Sequence, residues 1–190
     1  MTATTALAVA SLVFTGGCIA CLAYLHLAPT GYSPVRNAVS EYGVGFYARW
    51  YQAQAASAGT AALLLAGALA KDVSPVPRRV VALLVVLAVA RVAIGWFPTD
   101  LLGARTRTRN GSIHLLLAVA AFTSASWAGT ALRRSQHGQP ALGWAMAVCA
   151  MGTFLAVHRS PLKPWLGLIE RGYYVAMLAW LVLVAVRLVP

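Results

Sequence analysis

The chain alternates between long apolar runs and short polar breaks. Six runs read as continuous helix: residues 7–27, 50–69, 80–97, 113–132, 141–157 and 173–189. A bilayer core about 30 Å thick is crossed by about 20 apolar residues in helix, and each run meets or approaches that length. The breaks carry turn chemistry: Pro29-Thr30-Gly31, Pro75-Val76-Pro77, Pro98, Asn110-Gly111, His137-Gly138-Gln139-Pro140, and Ser160-Pro161 with Lys163-Pro164. Small residues recur within the runs, among them Gly16, Gly17, Gly59, Gly67, Gly95, Gly129 and Gly152. They let helices approach closely. The expected fold is all-α: a polytopic membrane protein, a six-transmembrane-helix bundle, with residues 1–190 forming a single integral membrane domain.

Composition agrees with this pattern. Hydrophobic residues make up 60% of the chain and charged residues 10%, against roughly 25% charged in a soluble domain. The net charge of +11 comes from 15 basic and 4 acidic residues. The basic residues sit between apolar runs, where they act as topology signals and contacts for anionic headgroups. Membrane lipids are therefore the expected partners, and nucleic acid is not. The first run lacks a basic n-region and a small-residue cleavage site, so it reads as the first span and not as a signal peptide. Cys18 and Cys21 share a helix face at i, i+3 and read as small contact residues, not as a redox pair. Cys149 has no evident partner, and nothing requires a disulfide.

Six spans place both termini on one face of the membrane. That terminal face also holds the loops around 71–79 and 133–140. The opposite face, called here the site face, holds the loops 29–49, 98–112 and 159–172. Three of the four acids, Glu41, Asp100 and Glu170, fall on the site face, as do His26, His114 and His158. The basic count, eight on the site face to six on the terminal face, favours the site face as cytoplasmic. The site face, however, has uses for its arginines beside its acids. The pairs Arg78-Arg79 and Arg133-Arg134 look like plain anchors. The expectation is a multi-pass protein of the cell membrane with cytoplasmic termini.

Arg91 lies inside a span, where a charge faces a partner or a wet cavity. Asp100, Glu41 and Glu170 are the available carboxylates, and an internal ion pair is expected. Pro98 ends or kinks the third helix, which sets Asp100 at the membrane boundary, to orient Arg91 or Arg105 or to act as a general acid or base. Arg105, Arg107 and Arg109 alternate with threonines. In an extended segment they share a face suited to an anion. Asn110-Gly111-Ser112 then supplies a turn and an N-cap, with His114 in the first turn of the fourth helix. In the loop 29–45, Val35, Val39 and Tyr42 form the apolar stripe of a short interfacial helix, with Arg36 and Ser40 opposite. This segment reads as a lid, with Glu41 pairing to Arg36 or to an arginine of the next loop. Tyr42, Tyr47, Trp50 and Tyr51 fit an interfacial aromatic belt. Glu170-Arg171 is read as opening the last helix. The histidine spacing matches no metal-ligand pattern, so no metal and no cofactor is expected.

Two stretches carry a resemblance. Pro-Thr-Gly-Tyr-Ser-Pro-Val-Arg-Asn-Ala-Val-Ser-Glu-Tyr-Gly-Val-Gly at 29–45 and Phe-Pro-Thr-Asp followed by Gly-Ala-Arg-Thr-Arg-Thr at 97–108, with His114, resemble the DUF998 family of small six-helix membrane proteins of bacteria and archaea. The resemblance implies that Ser40, Glu41, Tyr42, Gly43, Asp100, His114 and Glu170-Arg171 are shared polar positions. It implies no activity.

Three functions fit these residues. In the first, an arginine- and carboxylate-lined site on one face binds or moves an anionic lipid or polyprenyl-type amphiphile, using Arg36, Ser40, Tyr42, Arg91, Arg105, Arg107, Glu170 and Arg171. In the second, Asp100, Glu41 and His114 are acid–base groups of an intramembrane enzyme acting on a lipid or isoprenoid. This requires a cavity of roughly 300–1,000 Å³ beside them. In the third, the polar loops pack against another subunit of a membrane complex. The sequence does not choose between enzyme and binding protein, and it leaves the oligomeric state open.

Overall fold

The computed structural model describes residues 1–74, 76–101, 103–158 and 161–189. The turn residues Pro75 and Ser160, the cation Arg159 and Leu102 of the 98–112 loop lie outside the described residues. The chain is a helical bundle of α1 (Ala3–Leu27), α2 (Ala48–Ala70), α3 (Arg78–Ile94), α4 (Arg109–Ala131), α5 (Pro140–His158) and α6 (Leu166–Val186). Three short 3-10 turns, Val39–Gly43, Leu132–Arg134 and Lys163–Trp165, sit in the connections. Five helices are long and apolar enough to cross a membrane. The sixth, α3, has 17 residues, about 25 Å at 1.5 Å per residue.

Each helix packs on the one before it, and α6 closes the ring onto α1. The outer surface is apolar: Val13, Leu116, Val148 and Val175 are exposed. The interior holds Ser11, Thr15, Gln54, Arg91, Ser124 and Glu170. Such polar groups hold helices together where lipid removes the usual hydrophobic drive. Ser11 Oγ donates to Ala61 O at 2.9 Å, tying α1 to α2. At the α4–α5 crossing, a Cβ on Gly143 would meet the Gly129 backbone at 2.7 Å. Only glycine at both positions permits that approach. Of the other small residues, Gly59 packs against Ala88 and Val92, whereas Gly16 meets nothing.

Hydrogen bonds gather the loops as helix parity requires. On the terminal face, Thr4 Oγ1 donates to Lys71 O, Gln136 Nε2 to Ser74 Oγ, and Arg187 Nη1 to Gln136 O and Gly138 O. Asp72 Oδ2 and His137 Nε2 lie within hydrogen-bond distance, at 2.8 Å, and tie the two terminal-face loops together. On the site face, the 28–47 connection folds down onto α6.

Three boundaries differ from the sequence reading. α4 begins at Arg109, and its N-cap is Thr108, whose Oγ1 accepts from Gly111 N at 2.9 Å. Asn110-Gly111 is therefore helix, not turn, and His114 falls in the second turn. α6 begins at Leu166, so Glu170 and Arg171 also lie in its second turn and do not open it. α3 ends at Ile94, before Pro98, because the chain tightens through Gly95, Trp96 and Phe97 on bonds to Val92 O, Ala93 O and Ile94 O.

Candidate functional site

A cavity of about 380 Å³ opens under the site-face loops and runs into the bundle. Its polar residues come from every layer of that face. Ser40 and Glu41 descend from the 3-10 turn, Thr99, Asp100, Thr106 and Arg107 from the α3–α4 loop, and Lys163 from the last connection. Deeper, Tyr51 of α2, Arg91 of α3, His114 of α4, and Glu170 and Tyr174 of α6 complete the set. The rest of the wall is apolar: Ile94, Leu115, Ala118, Phe122, Phe154 and Val157. Phe122 lies about 20 Å along α4 from Arg109. It stacks on Tyr173 with 3.9 Å between ring centroids.

Arg91 is 2% exposed. No carboxylate pairs with it. Its Nη1 donates to the Tyr174 hydroxyl at 2.8 Å and its Nη2 to Gln54 Oε1 at 2.9 Å. The expected ion pair is thus replaced by two neutral acceptors from α6 and α2, and the guanidinium spans the centre of the ring. Gln54 Nε2 in turn points to Cys18 Sγ at 3.3 Å. Arg91 Nε and the Tyr51 hydroxyl have no hydrogen-bond partner among the described residues.

The carboxylates are engaged elsewhere. Asp100 accepts from Thr108 N at 3.1 Å and Thr108 Oγ1 at 2.7 Å. It lies flat against Gly111, where any Cβ would run into its carboxylate. Asp100 therefore braces the start of α4 and does not orient Arg91 or Arg105 directly. Glu41 Oε2 accepts from Ala38 N and Asn37 Nδ2, both at 2.9 Å, and caps its own 3-10 turn. Arg36 is exposed and is not its partner. Glu170 Oε2 accepts from Val39 N at 2.8 Å, across 131 residues of chain. Tyr32 lies in the same connection, where partial burial, with help from Glu41, pushes its phenol above the usual value.

Arg171 works beside Glu170 as a clamp. Its Nη1 donates to Asn37 O, its Nη2 to the Tyr42 hydroxyl, and its Nε to His26 Nε2 at 2.6 Å. Leu168 N adds a bond to Val35 O. The lid segment is thereby stitched to α6 along its length. His26 Nδ1 donates to Leu22 O at 2.7 Å, consistent with a neutral ring that accepts from Arg171. His158 bonds its own helix at Phe154 O.

His114 differs from the other two. It is buried, stacked on Tyr51, and its Nδ1 donates to Phe97 O at 2.6 Å. A carbonyl can only accept, so Nδ1 carries a proton, and whenever the ring is neutral Nε2 is its acceptor. The Phe97 bond also ties α4 to the end of α3.

Of the residues chosen from sequence, the cavity brings together Ser40, Glu41, Arg91, Asp100, Arg107, His114 and Glu170. It does not include Arg36, Tyr42, Arg105 or Arg171. Arg36 and Arg105 are exposed, and Tyr42 and Arg171 belong to the lid clamp. Arg105, Arg107 and Arg109 share no extended face, because the loop turns through 103–106 and Arg109 enters α4. Tyr42 and Tyr51 are core residues and not belt residues. Gln54, Tyr51, Tyr174 and Lys163 also line or support the cavity and were not chosen as site residues from the sequence. Gln54 carried a usable signal, a primary amide inside an apolar run, of the same kind that exposed Arg91.

The fold and its cavity define a polytopic helical membrane protein with a charged chamber open beneath the loops of one face. The chain belongs to the DUF998 family, described as a protein of unknown function, whose sequence profile matches residues 8–187. No curated protein and no solved structure matches it.

Proposed function

We propose that the chain binds an anionic amphiphile, a phospholipid or polyprenyl phosphate, with its head under the site-face loops and its tail along the apolar wall. One observation carries this reading: a single cavity is lined both by charged side chains, Arg91, Arg107 and Lys163 among them, and by an apolar wall that includes Leu115, Phe122 and Phe154. Its lining holds three cations, Arg91, Arg107 and Lys163, and three carboxylates, Glu41, Asp100 and Glu170. The carboxylates are met by backbone N–H groups and by Thr108 and Asn37. Arg91 has only neutral partners, and Arg107 and Lys163 make no hydrogen bond or ion pair among the described residues. Arg91, Arg107 and Lys163 thus offer cationic donors that no carboxylate holds among the described residues, and guanidinium forks suit phosphate. The protein sits in the cell membrane with its termini cytoplasmic. That orientation is supported by the arginine pairs of the terminal face, whose one acid, Asp72, is taken by His137.

Native mass spectrometry of the protein released from mild detergent tests the reading. The wild type retains an anionic lipid, and the double substitution Arg107→Ala with Lys163→Ala loses it. Retention unchanged by that substitution, or retention of zwitterionic lipid alone, contradicts it.

His114 favours a second reading. An imidazole fixed through Nδ1, with Nε2 left to accept or release a proton and Asp100 in the same cavity, suits acid–base chemistry on the bound lipid. The purified protein then changes the mass of lipids in a bilayer extract, and His114→Gln stops the change. Persistence of the products in His114→Gln removes this reading.

A further inference from the structure

A second concavity, of about 630 Å³, lies on the terminal face, where the start of α3, the end of α4 and the start of α5 meet. Its mouth holds Arg79, Arg133 and Arg134. All three are exposed, and none makes a hydrogen bond or ion pair among the described residues. No acid lines it. Asp72, the one carboxylate of that face, is held by His137 at 2.8 Å. Trp127 and Trp144 flank the groove, 69% and 59% exposed. Each is about one turn from its helix end, the depth at which indole rings mark the boundary between headgroups and chains. The floor, Ala82, Leu83 and Val86, is apolar and continues down α3. Val86 lies about 12 Å along α3 from Arg78, at hydrocarbon depth.

We propose that this groove seats one anionic glycerophospholipid of the adjacent leaflet. Its phosphate lies among the three guanidinium groups, and one acyl chain runs along Leu83 and Val86 between the two tryptophans. Unpartnered positive charge selects the head. The apolar floor selects a lipid over a soluble anion, because a free phosphate gains nothing from it. The floor's depth likewise places it against acyl chains and not against a water-soluble partner. This site is separate from the cavity on the opposite face and stands without it.

The test uses the full chain in phosphatidylcholine vesicles. Brominated phosphatidylglycerol or brominated phosphatidylcholine is added at equal mole fraction, and tryptophan quenching is read. The double variant Trp127→Phe with Trp144→Phe supplies the background from the other tryptophans. The groove predicts stronger quenching of Trp127 and Trp144 by the anionic lipid. Arg79→Ala, Arg133→Ala and Arg134→Ala each reduce that preference roughly fivefold. Arg107→Ala leaves it unchanged, which separates this site from the cavity. For the wild type, salt at roughly 1 M, where screening acts within about 3 Å, removes most of the preference. Equal quenching by the two lipids, or a preference that survives high salt, overturns the proposal. So does quenching by neither lipid, the result expected if a second copy of the chain fills the groove. The salt series needs no arginine substitution, only the tryptophan background, and decides the matter even where an arginine variant fails to fold.

Discussion

Arg91 and Asp100 show how charge is handled when water is scarce. A guanidinium inside a bundle is costly unless its donors are met. Arg91 meets Tyr174 and Gln54 across the ring and keeps its charge uncancelled. Gln54→Leu removes one acceptor and leaves a buried N–H orphaned. We expect a loss of about 1–3 kcal/mol, measured as reversible unfolding in mixed detergent, and an unchanged midpoint would contradict this role. Asp100 is fixed by Thr108 and by the bare face of Gly111. Gly111→Ala drives a methyl into that carboxylate, whereas Asn110→Ala, one residue away and exposed, does not. The first lowers the unfolding midpoint and weakens lipid retention, and the second changes neither. At this scale the sequence was informative about which residues matter and poor about whom they touch. Arg91 stood out because a charge in an apolar run has no cheap explanation. Its partners did not, because Gln54 and Tyr174 lie 37 and 83 residues away and only the ring of helices brings them in.

The lid is the element whose position depends most on long-range contacts. Four bonds from the first two turns of α6, through Leu168, Glu170 and Arg171, hold residues 35–42 over the cavity. Glu170→Leu frees Val39 N, and Arg171→Lys loses the planar fork that reaches Asn37 and Tyr42 together. Both substitutions should speed amide exchange in 35–43, with bonds to charged groups worth about 1.5–3 kcal/mol each. Exchange unchanged in both variants would show that the lid is held by packing alone. The helical stripe read from Val35, Val39 and Tyr42 does not form: Val35 is exposed in a turn, and only Val39–Gly43 is helical, as a 3-10 turn that buries Val39 and Tyr42. The lid's clamp was not legible, because Glu170-Arg171 reads equally well as an ordinary acidic helix start. The first turn of α6 lies upstream of the apolar run that marked it. The start of α4 was missed for a related reason: Asn110-Gly111 is the common signature of a turn, and here Thr108 caps a helix that runs through it.

For the molecule as a whole, the alternation of runs and breaks was enough to set the bundle and the sorting of loops to two faces. Hydrocarbon demands that backbone groups be satisfied within each helix, so an apolar run of this length has few alternatives. The cavity could not be read this way, since it depends on how the helices of a closed ring fill its centre. The α4–α5 contact is one determinant. Gly143→Val forces these helices apart at Gly129, and we expect it to lower the unfolding midpoint by more than Gly16→Val, which faces open space. Equal effects would mean that the crossing is not tightly packed. We propose that the tail of an anionic amphiphile lies against the cavity wall that Phe122 and Phe154 form. A photo-crosslinking amino acid in place of Phe154, activated in the native membrane and followed by mass spectrometry of the adduct, tests it most directly. The expected result is a covalent adduct to an anionic lipid, enriched over its share of the bilayer and lost when Arg107 and Lys163 are replaced by alanine. Adducts only to protein, or to lipids in proportion to their abundance, would contradict it.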